Sequence, residues 1–228
     1  MVETLFFQEL KPNQRLLVRT EDNTIGDANN LASHSFVAGK SNKAIGKNSA
    51  IFGEKCTAAN YSFSSGLSCD ASGEYSVAMG VNNQSPGNYS VALGGANYAY
   101  GESSLALGRN SRALGVISGA IGCHSIAAGG FSVAIGRECQ TGPDASNSYC
   151  LGAECEVTGI GSIALGYKSI SEGKYSFVGS GGYTNADASG SIAIGYETKA
   201  LNEGAISIGY VSNANSPFSV AIGNKCDV

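Results

Sequence analysis

The stretch SVAMGVNNQSPGNYSVALGGANYAYGESSLALGRNSRALG, residues 76–115, contains one pentapeptide three times, at Ser76, Ser90 and Ser104, with 14 residues from one copy to the next. The same pattern extends in both directions over most of the chain. Its 14 copies begin at Ser35, Ser49, Ser62, Ser76, Ser90, Ser104, Ser118, Ser132, Ser148, Ser162, Ser176, Ser191, Ala205 and Ser219. Repetition at a fixed period predicts stacked structural units. We call each unit a rung and count its positions from the first residue of the pentapeptide.

Each rung alternates with a period of two, which predicts a β-strand. We expect the large residues Tyr75, Val77 and Met79 and their counterparts to form the core side. The opposite face then presents Ser, Ala and Gly to the outside. A second short strand, such as residues 110–113, completes the rung. A helix is rejected because the apolar period is two and two glycines per rung would break it.

The outward alanines predicted in this way form one column along the roll. We interpret the column as the contact between subunits, since small residues allow a second copy to approach closely and a thin roll gains from oligomerisation. The alternative is a surface that simply tolerates alanine. The predicted trimer-packing residues are Ala78, Ala92, Ala106, Ala120, Ala134, Ala164, Ala193 and Ala221.

The composition supports a turn-rich repeat protein and excludes several classes of function. The chain of 228 residues has 32 Gly, no Trp, 14% charged residues and a net charge of −4. The 14 basic residues are scattered, so no footprint for nucleic acid exists. No apolar run is long enough to predict a membrane span.

The pentapeptides of the SVAIG type, together with the spacing in GRNSRALG (residues 108–115), resemble the YadA-like heads of trimeric autotransporter adhesins. The resemblance runs from about Ser33 to Val228, and such repeats also occur in phage and viral fibres. It implies an all-β fold, a left-handed parallel β-roll with three rolls side by side as a homotrimer, and a role in attachment. We therefore expect residues 33–228 to form the roll and residues 1–32 to form an N-terminal arm or cap.

Three departures from the bacterial family bear on location. Residues 1–10 do not read as a secretory signal, and neither stalk heptads nor a membrane anchor is evident. With the cysteines, this favours synthesis in a reducing compartment. The expected function is a non-enzymatic fibre or spike component on a virus or phage particle that mediates host adhesion. The alternative is a head fragment of a bacterial adhesin at the cell surface, and an enzyme on a solenoid scaffold is the remote alternative.

The arm is expected to dock onto a larger virion or surface assembly, and a host receptor or glycan is the expected external partner, without direct membrane insertion. An uncovered strand edge at the C-terminal end of the roll would invite pairing, so we expect either further chain or another surface there. The predicted docking residues are Leu5, Phe6, Phe7, Leu16 and Leu17.

Irregular rungs are the candidate binding loops. Three intervals deviate from 14 residues: 13 after Ser49, 16 after Ser132 and 15 after Ser176. Insertions in solenoids form loops that often bind partners, although a neutral bulge is equally open. Tyrosines that follow the rung glycine predict an exposed stripe, for receptor contact or for edge packing. The candidate contacts are Thr141, Pro143, Asp144, Tyr183, Asp187, Tyr167, Tyr196 and Tyr210.

Five of the seven cysteines share one position, the eighth, where other rungs have Ser, Asn or Thr: Cys56, Cys69, Cys139, Cys155 and Cys226. We interpret them as buried, reduced stand-ins for serine. Disulfides between adjacent rungs, Cys56–Cys69 or Cys139–Cys155, and a metal site remain alternatives. His34 and His124 have no evident catalytic partners, so we expect no catalytic residue, metal or cofactor.

Overall fold

A computed structural model describes residues 24–25 and 34–228, and within them every regular element is a β-strand. Each rung contributes one long strand, and most rungs also contribute one short strand; in the rungs of Ser76 and Ser219, isolated bridges at Gln84 and Asp227 take the place of the short strand. The long strands are Phe36–Lys40, Ala50–Glu54, Phe63–Leu67, Val77–Val81, Val91–Gly95, Leu105–Arg109, Gly119–Cys123, Val133–Arg137, Tyr149–Ala153, Ile163–Tyr167, Phe177–Gly179, Ile192–Tyr196, Ile206–Tyr210 and Val220–Asn224. The short strands are Thr24–Ile25, Lys43–Ala44, Thr57–Ala58, Asp70–Ala71, Tyr98–Ala99, Arg112–Ala113, Ile126–Ala127, Gln140–Thr141, Glu156–Val157, Ile170–Ser171, Tyr183–Thr184, Lys199–Ala200 and Asn213–Ala214.

The long strands pair in parallel, each with the next along the chain, in a single 14-stranded sheet. The short strands form sheets of four and nine strands, which isolated bridges at Gln84 connect. The register places like on like, so that Ala78, Ala92 and Ala106 lie side by side. The chain is therefore a parallel β-solenoid of about 14 turns, as the repeat predicted.

The N-terminal boundary of the roll differs from the expectation. Thr24–Ile25 pairs in parallel with Lys43–Ala44, so the short-strand sheet begins inside the segment assigned to the arm. The predicted docking residues lie outside the described residues: Leu5, Phe6, Phe7, Leu16 and Leu17.

The prediction of which face is inside is wrong. The supposed outward alanines form the interior of a single chain, each at most 1% exposed: Ala78, Ala92, Ala106, Ala120, Ala134, Ala164, Ala193 and Ala221. The large residues point outward instead, with Tyr75 45% and Met79 40% exposed. These alanines cannot contact a second subunit, because their own chain already covers them.

The reason for the reversal is the thickness of the roll. The two sides of the roll are so close that short hydroxyl side chains from opposite sides hydrogen-bond directly. Ser132 Oγ lies 2.8 Å from Thr141 Oγ1, and Ser85 Oγ lies 2.9 Å from Ser90 Oγ. An interior this shallow is filled mainly by Ala, Ser, Cys and Thr, and its largest side chains are Ile51 and a few valines. The strand alternation was correct, and only the assignment of its two faces was reversed.

Buried hydroxyls make the interior polar, and most of them are hydrogen-bonded, although those of Ser104 and Ser118 have no partner. In most rungs the first-position serine donates to the carbonyl three residues earlier, at 2.7 Å from Ser76 to Gly73 and 2.6 Å from Ser132 to Gly129. Because a buried polar group without a partner costs roughly 1–3 kcal/mol, this bond explains the preference for serine. It also closes the turn between the short strand and the next long strand.

The side chain at the eighth position forms a hydrogen bond that connects one rung to the next. Ser125 Oγ donates to the carbonyl of Gly136 on the next rung at 3.0 Å, and Asn97 Nδ2 donates to Gly108 at 2.7 Å. Cys155 Sγ makes the equivalent contact with Gly166 at 3.1 Å. The position therefore requires a small donor, which explains why Ser, Asn and Cys exchange there.

The partly buried carboxyl group of Asp70 predicts an unusual dependence of folding stability on pH. Burial raises the pKa of its carboxyl above the ordinary 3.8, and Oδ1 has no hydrogen-bond partner. The folded state then holds its proton more tightly than the unfolded state. The resulting destabilisation appears as the pH rises through the folded pKa.

We expect Asp70→Asn to raise the melting temperature at pH 7 by about 2 °C. The gain should shrink as the pH falls towards the unfolded pKa, because the wild-type carboxyl is then protonated. Thermal melts followed by circular dichroism between pH 4 and pH 8 measure both. A variant that is less stable than the wild type at pH 7 would show that the carboxylate is stabilising.

Candidate functional site

The first candidate surface is the outer face of the 14-stranded sheet, which we call the apolar face. It consists of the residues at the second and fourth rung positions, such as Leu105 with Leu107 and Val133 with Ile135. Leu107 and Ile135 are 37% and 39% exposed, and Ile222 is 63% exposed. With a strand spacing of about 4.8 Å, the face extends for about 60 Å. Contiguous apolar surface of this kind marks an interaction site.

This surface was missed in the sequence because its residues were taken for the core. The signal that could have located it is the length of the rung. Fourteen residues, with two strands and two turns, leave too little width for two layers of large side chains. Alanine on one face and Val, Leu or Ile on the other therefore place the larger residues outside.

Stacked tyrosines line the turns at the edges of the roll. Tyr61, Tyr75 and Tyr89 precede the serine of consecutive rungs, and their ring centroids are 4.8 and 5.1 Å apart. At the opposite end of the long strands, Tyr196 and Tyr210 stack at 5.4 Å with an interplanar angle of 15°. These distances lie in the favourable range for aromatic pairs. The rings present exposed, rigid surfaces at rung spacing.

The predicted stripe of Tyr167, Tyr196 and Tyr210 is exposed, each residue at more than half of its surface. Lys168 Nζ lies 5.1 Å from the centre of the Tyr167 ring and 3.7 Å from Glu154 Oε2. A hydrogen bond with Glu197 raises the pKa of the Tyr196 phenol, which keeps it protonated. The stripe thus combines aromatic faces with charges of both signs.

The two insertions lie in equivalent turns, between a short strand and the next long strand. They carry the related sequences Asp144-Ala145-Ser146 and Asp187-Ala188-Ser189. In each, the alanine is buried and the aspartate is exposed. Pro143 is exposed as well. Each loop therefore presents an exposed aspartate next to an alanine that is buried in the interior.

Two predicted loop contacts differ from the expectation. Thr141 is 2% exposed and hydrogen-bonds to Ser132 in the interior, so it cannot touch a receptor. It occupies the tenth position, the column that holds Ala99, Ala113 and Ala127, and this alignment could have placed it inside. Tyr183 is half-buried, and burial, with its bond to Glu172 at 3.0 Å, raises the pKa of its hydroxyl.

All seven cysteines are free thiols. Cys56, Cys69, Cys139 and Cys155 are buried at the eighth position, while Cys150 replaces an alanine of the interior column. Hydrogen bonds to the Cys139 and Cys155 thiols, together with burial, raise the pKa of Cys150. A buried thiol with a raised pKa is a poor nucleophile.

His124 lines a surface cavity of about 350 Å³ together with Glu138, Glu154 and Cys155. The structure thus gives this histidine acidic neighbours that the sequence did not reveal. The Cys155 thiol, however, donates to the carbonyl of Gly166 and is buried. The cavity therefore presents an imidazole and carboxylates at its surface, next to a buried thiol. Hydrogen bonds with Cys139 and Cys150 lower the pKa of the Cys155 thiol.

In the part of the chain that the structure describes, no cluster of three or more His, Cys, Asp or Glu side chains is arranged to hold a metal ion. Over the same residues, no helix is long and apolar enough to cross a membrane.

Comparison with known families agrees with the repeat seen in the structure. The model described as YadA head domain repeat (2 copies) matches residues 71–97, 99–116, 158–177, 178–198 and 200–225. These segments lie on both sides of residues 117–157 and include the Ser-x-Ala-x-Gly pentapeptides that begin at Ser76, Ser90, Ser104, Ser162, Ser191 and Ser219. No curated protein matches the chain in sequence.

Proposed function

Because the chain belongs to the family of YadA head domain repeats, we propose that it is a non-enzymatic trimeric attachment protein displayed at a surface. The single observation that carries the proposal is the exposed apolar face on a chain with adhesin-head repeats. The face requires a partner, and the repeats indicate which kind of assembly supplies it. Attachment then falls to the surfaces that the assembly leaves open.

We place the trimer contact on the apolar face in place of the alanine column. Three left-handed rolls lie side by side, each turning Val, Leu and Ile residues such as Leu107 and Ile135 towards a common axis. Burial of apolar surface contributes about 25 cal/mol per Å², and the face supplies such surface in all 14 rungs. The interface therefore grows with the number of rungs, as suits an elongated fibre head.

The edges of the roll remain available for attachment in this arrangement. The insertion loops present Pro143, Asp144 and Asp187, and the opposite turns present the tyrosine stripe. Tyr183 contributes the exposed part of its ring beside this stripe. We propose these edges as the host-contacting surface and the N-terminal arm as the segment that docks onto a larger assembly.

Two locations have support. Seven free thiols favour assembly in a reducing compartment, as for a component of a virus or phage particle. The family match favours the surface of a bacterium, where adhesin heads are displayed. Immunogold labelling of purified particles and of intact cells from the source distinguishes the two.

Attachment is tested by binding of the fluorescently labelled protein to host cells. We expect saturable binding that excess unlabelled protein competes away. The double variant Leu107→Asp/Ile135→Asp places charges on the apolar face and should give monomers. Because three linked sites bind with avidity, its affinity for cells should fall at least about 100-fold.

The control is Arg112→Asp, an equally charged replacement on the outer side of the short-strand sheet, which should bind as the wild type does. Binding that does not saturate, or that is equal for the double variant and the wild type, contradicts a trimeric attachment role. Hydrolase or transferase activity that is abolished by His124→Ala would overturn the non-enzymatic assignment.

A further inference from the structure

The rung that begins at Ser176 lacks one residue between its long and short strands. In the two adjacent rungs this segment carries Tyr167 and Tyr196. The long strand of the Ser176 rung, Phe177–Gly179, has three residues in place of five. Gly179 pairs with Leu165 and Tyr183 pairs with Ile170, so residues 180–182 take the place of residues 166–169. The following rung again has four residues, 195–198, between the same partners.

The missing residue leaves a gap between two exposed rings. Tyr167 and Tyr196 occupy the sixth position on the rungs before and after, and this rung has only Ser180 and Gly181 there. The rings belong to rungs separated by two strand spacings, about 9.6 Å. Since Tyr196 and Tyr210 stack at 5.4 Å, the vacancy between Tyr167 and this pair has the width of one ring.

The gap is an open cavity of about 490 Å³, lined by Tyr167, Lys168, Ser180, Gly181, Tyr196 and Glu197. We call it the tyrosine slot. Its volume lies within the range of small-molecule sites. A second cavity of about 410 Å³ shares Lys168, Gly181 and Glu197 and continues to Tyr183 and Lys199 on the short-strand side. The groove thus leads away from the apolar face.

The chemistry of the slot favours a ring with apolar faces and a polar rim. Two aromatic walls attract C–H groups or another ring, while Lys168, Ser180 and Glu197 supply donors and acceptors around the edge. A pyranose has axial C–H groups on its faces and hydroxyls around its rim. An aromatic side chain would fit the walls but, unlike a sugar, would make no hydrogen bonds with Lys168, Ser180 or Glu197.

We propose that the tyrosine slot binds one neutral pyranose ring of a glycan, stacked between Tyr167 and Tyr196, with the adjoining groove for the next sugar unit. Lys168 donates to ring hydroxyls, and Glu197 accepts from them. This inference deepens the attachment function and rests on it for its biological meaning. Sugar binding itself is measured independently of cell attachment.

The test is saturation-transfer NMR on the assembled full-length protein with methyl glycosides of glucose, galactose, mannose and N-acetylglucosamine. We expect transfer to the ring C–H protons of at least one sugar. Tyr167→Ala and Tyr196→Ala should each weaken binding by about tenfold, the loss expected for one stacked ring. Tyr89→Ala, which removes an equally exposed stacked tyrosine elsewhere, should leave binding unchanged.

A variant in which the slot is filled distinguishes loss of the sugar site from disruption of the fold. Insertion of one tyrosine between Ser180 and Gly181 restores the missing residue, so it should complete the stack, retain the circular dichroism spectrum and abolish sugar binding. No transfer to any sugar, or binding that persists after both tyrosines are replaced, overturns the proposal. Competition of the sugar by N-acetyl-phenylalanine amide with equal or higher affinity overturns it in favour of an aromatic peptide.

The two proposals can fail separately. If the filling variant still attaches to cells while sugar binding is lost, the slot is not the attachment site and the attachment function stands. If the wild type binds sugars but does not attach to cells, the slot stands as a glycan site and the attachment function fails.

Discussion

Gly94→Ala is expected to destabilise the solenoid severely. Gly94 has φ +117°, and a Cβ added there would lie 2.1 Å from the carbonyl oxygen of Gly108 on the next rung. The backbone conformation alone costs a non-glycine residue about 1–3 kcal/mol. The overlap with a backbone atom adds to this, because neither strand can move without breaking the ladder.

The adjacent residue provides the control. Gly95 has open space around the position of a Cβ, with no heavy atom within 4 Å. Gly95→Ala is therefore expected to change stability by no more than about 0.5 kcal/mol. Thermal melts of both variants at the same protein concentration give the comparison. Similar melting temperatures for the two variants would mean that the rungs are not stacked in this register.

Ala106→Leu is expected to destabilise the solenoid by overpacking the rung of Ser104. Ala106 is fully buried between Ala92 and Ala120 of the neighbouring rungs. The same column holds Val37 and Ile51 near the start of the roll, but around this rung it contains only alanines, so three additional carbons must displace neighbouring atoms. Overpacking costs about 1–3 kcal/mol in ordinary cores, and we expect a loss of stability in this range. A melting temperature below that of the wild type is the measured outcome.

Arg112→Leu introduces the same side chain on the same rung, but on the outer side of the short strand, where position 112 is exposed. It should leave the melting temperature close to that of the wild type. The pair of variants tests which face is inside. Tolerance of Ala106→Leu would restore the reversed arrangement in which alanines face outward.

The sequence was sufficient for the topology of the roll because its signal is repeated in every rung. Val77 and Ala78 alternate as strand residues must, and the 14-residue interval places Ala78 beside Ala92. The sequence was insufficient to assign the two faces of the strands, because alternation alone does not say which of the alternating residues point into the interior. The width available between the two sheets decides that, and the width follows from the turns.

The sequence was also insufficient to predict the structure of the rung of Ser176. An interval of 15 residues suggests a single insertion, yet the structure contains one deletion beside Ser180 and two inserted residues before Ser191. Only the net change is visible in the sequence. The tyrosine slot arises from the deletion, so it could not be predicted from the spacing.

The molecular mass in solution tests the account most directly, because the apolar face is exposed in one chain and the proposed function depends on covering it. Light scattering coupled to size-exclusion chromatography should give three times the chain mass of 23.2 kDa for the wild type. Leu107→Asp/Ile135→Asp should give the mass of one chain with an unchanged circular dichroism spectrum. A wild-type mass of 23.2 kDa would contradict the trimer and leave the apolar face without its proposed role.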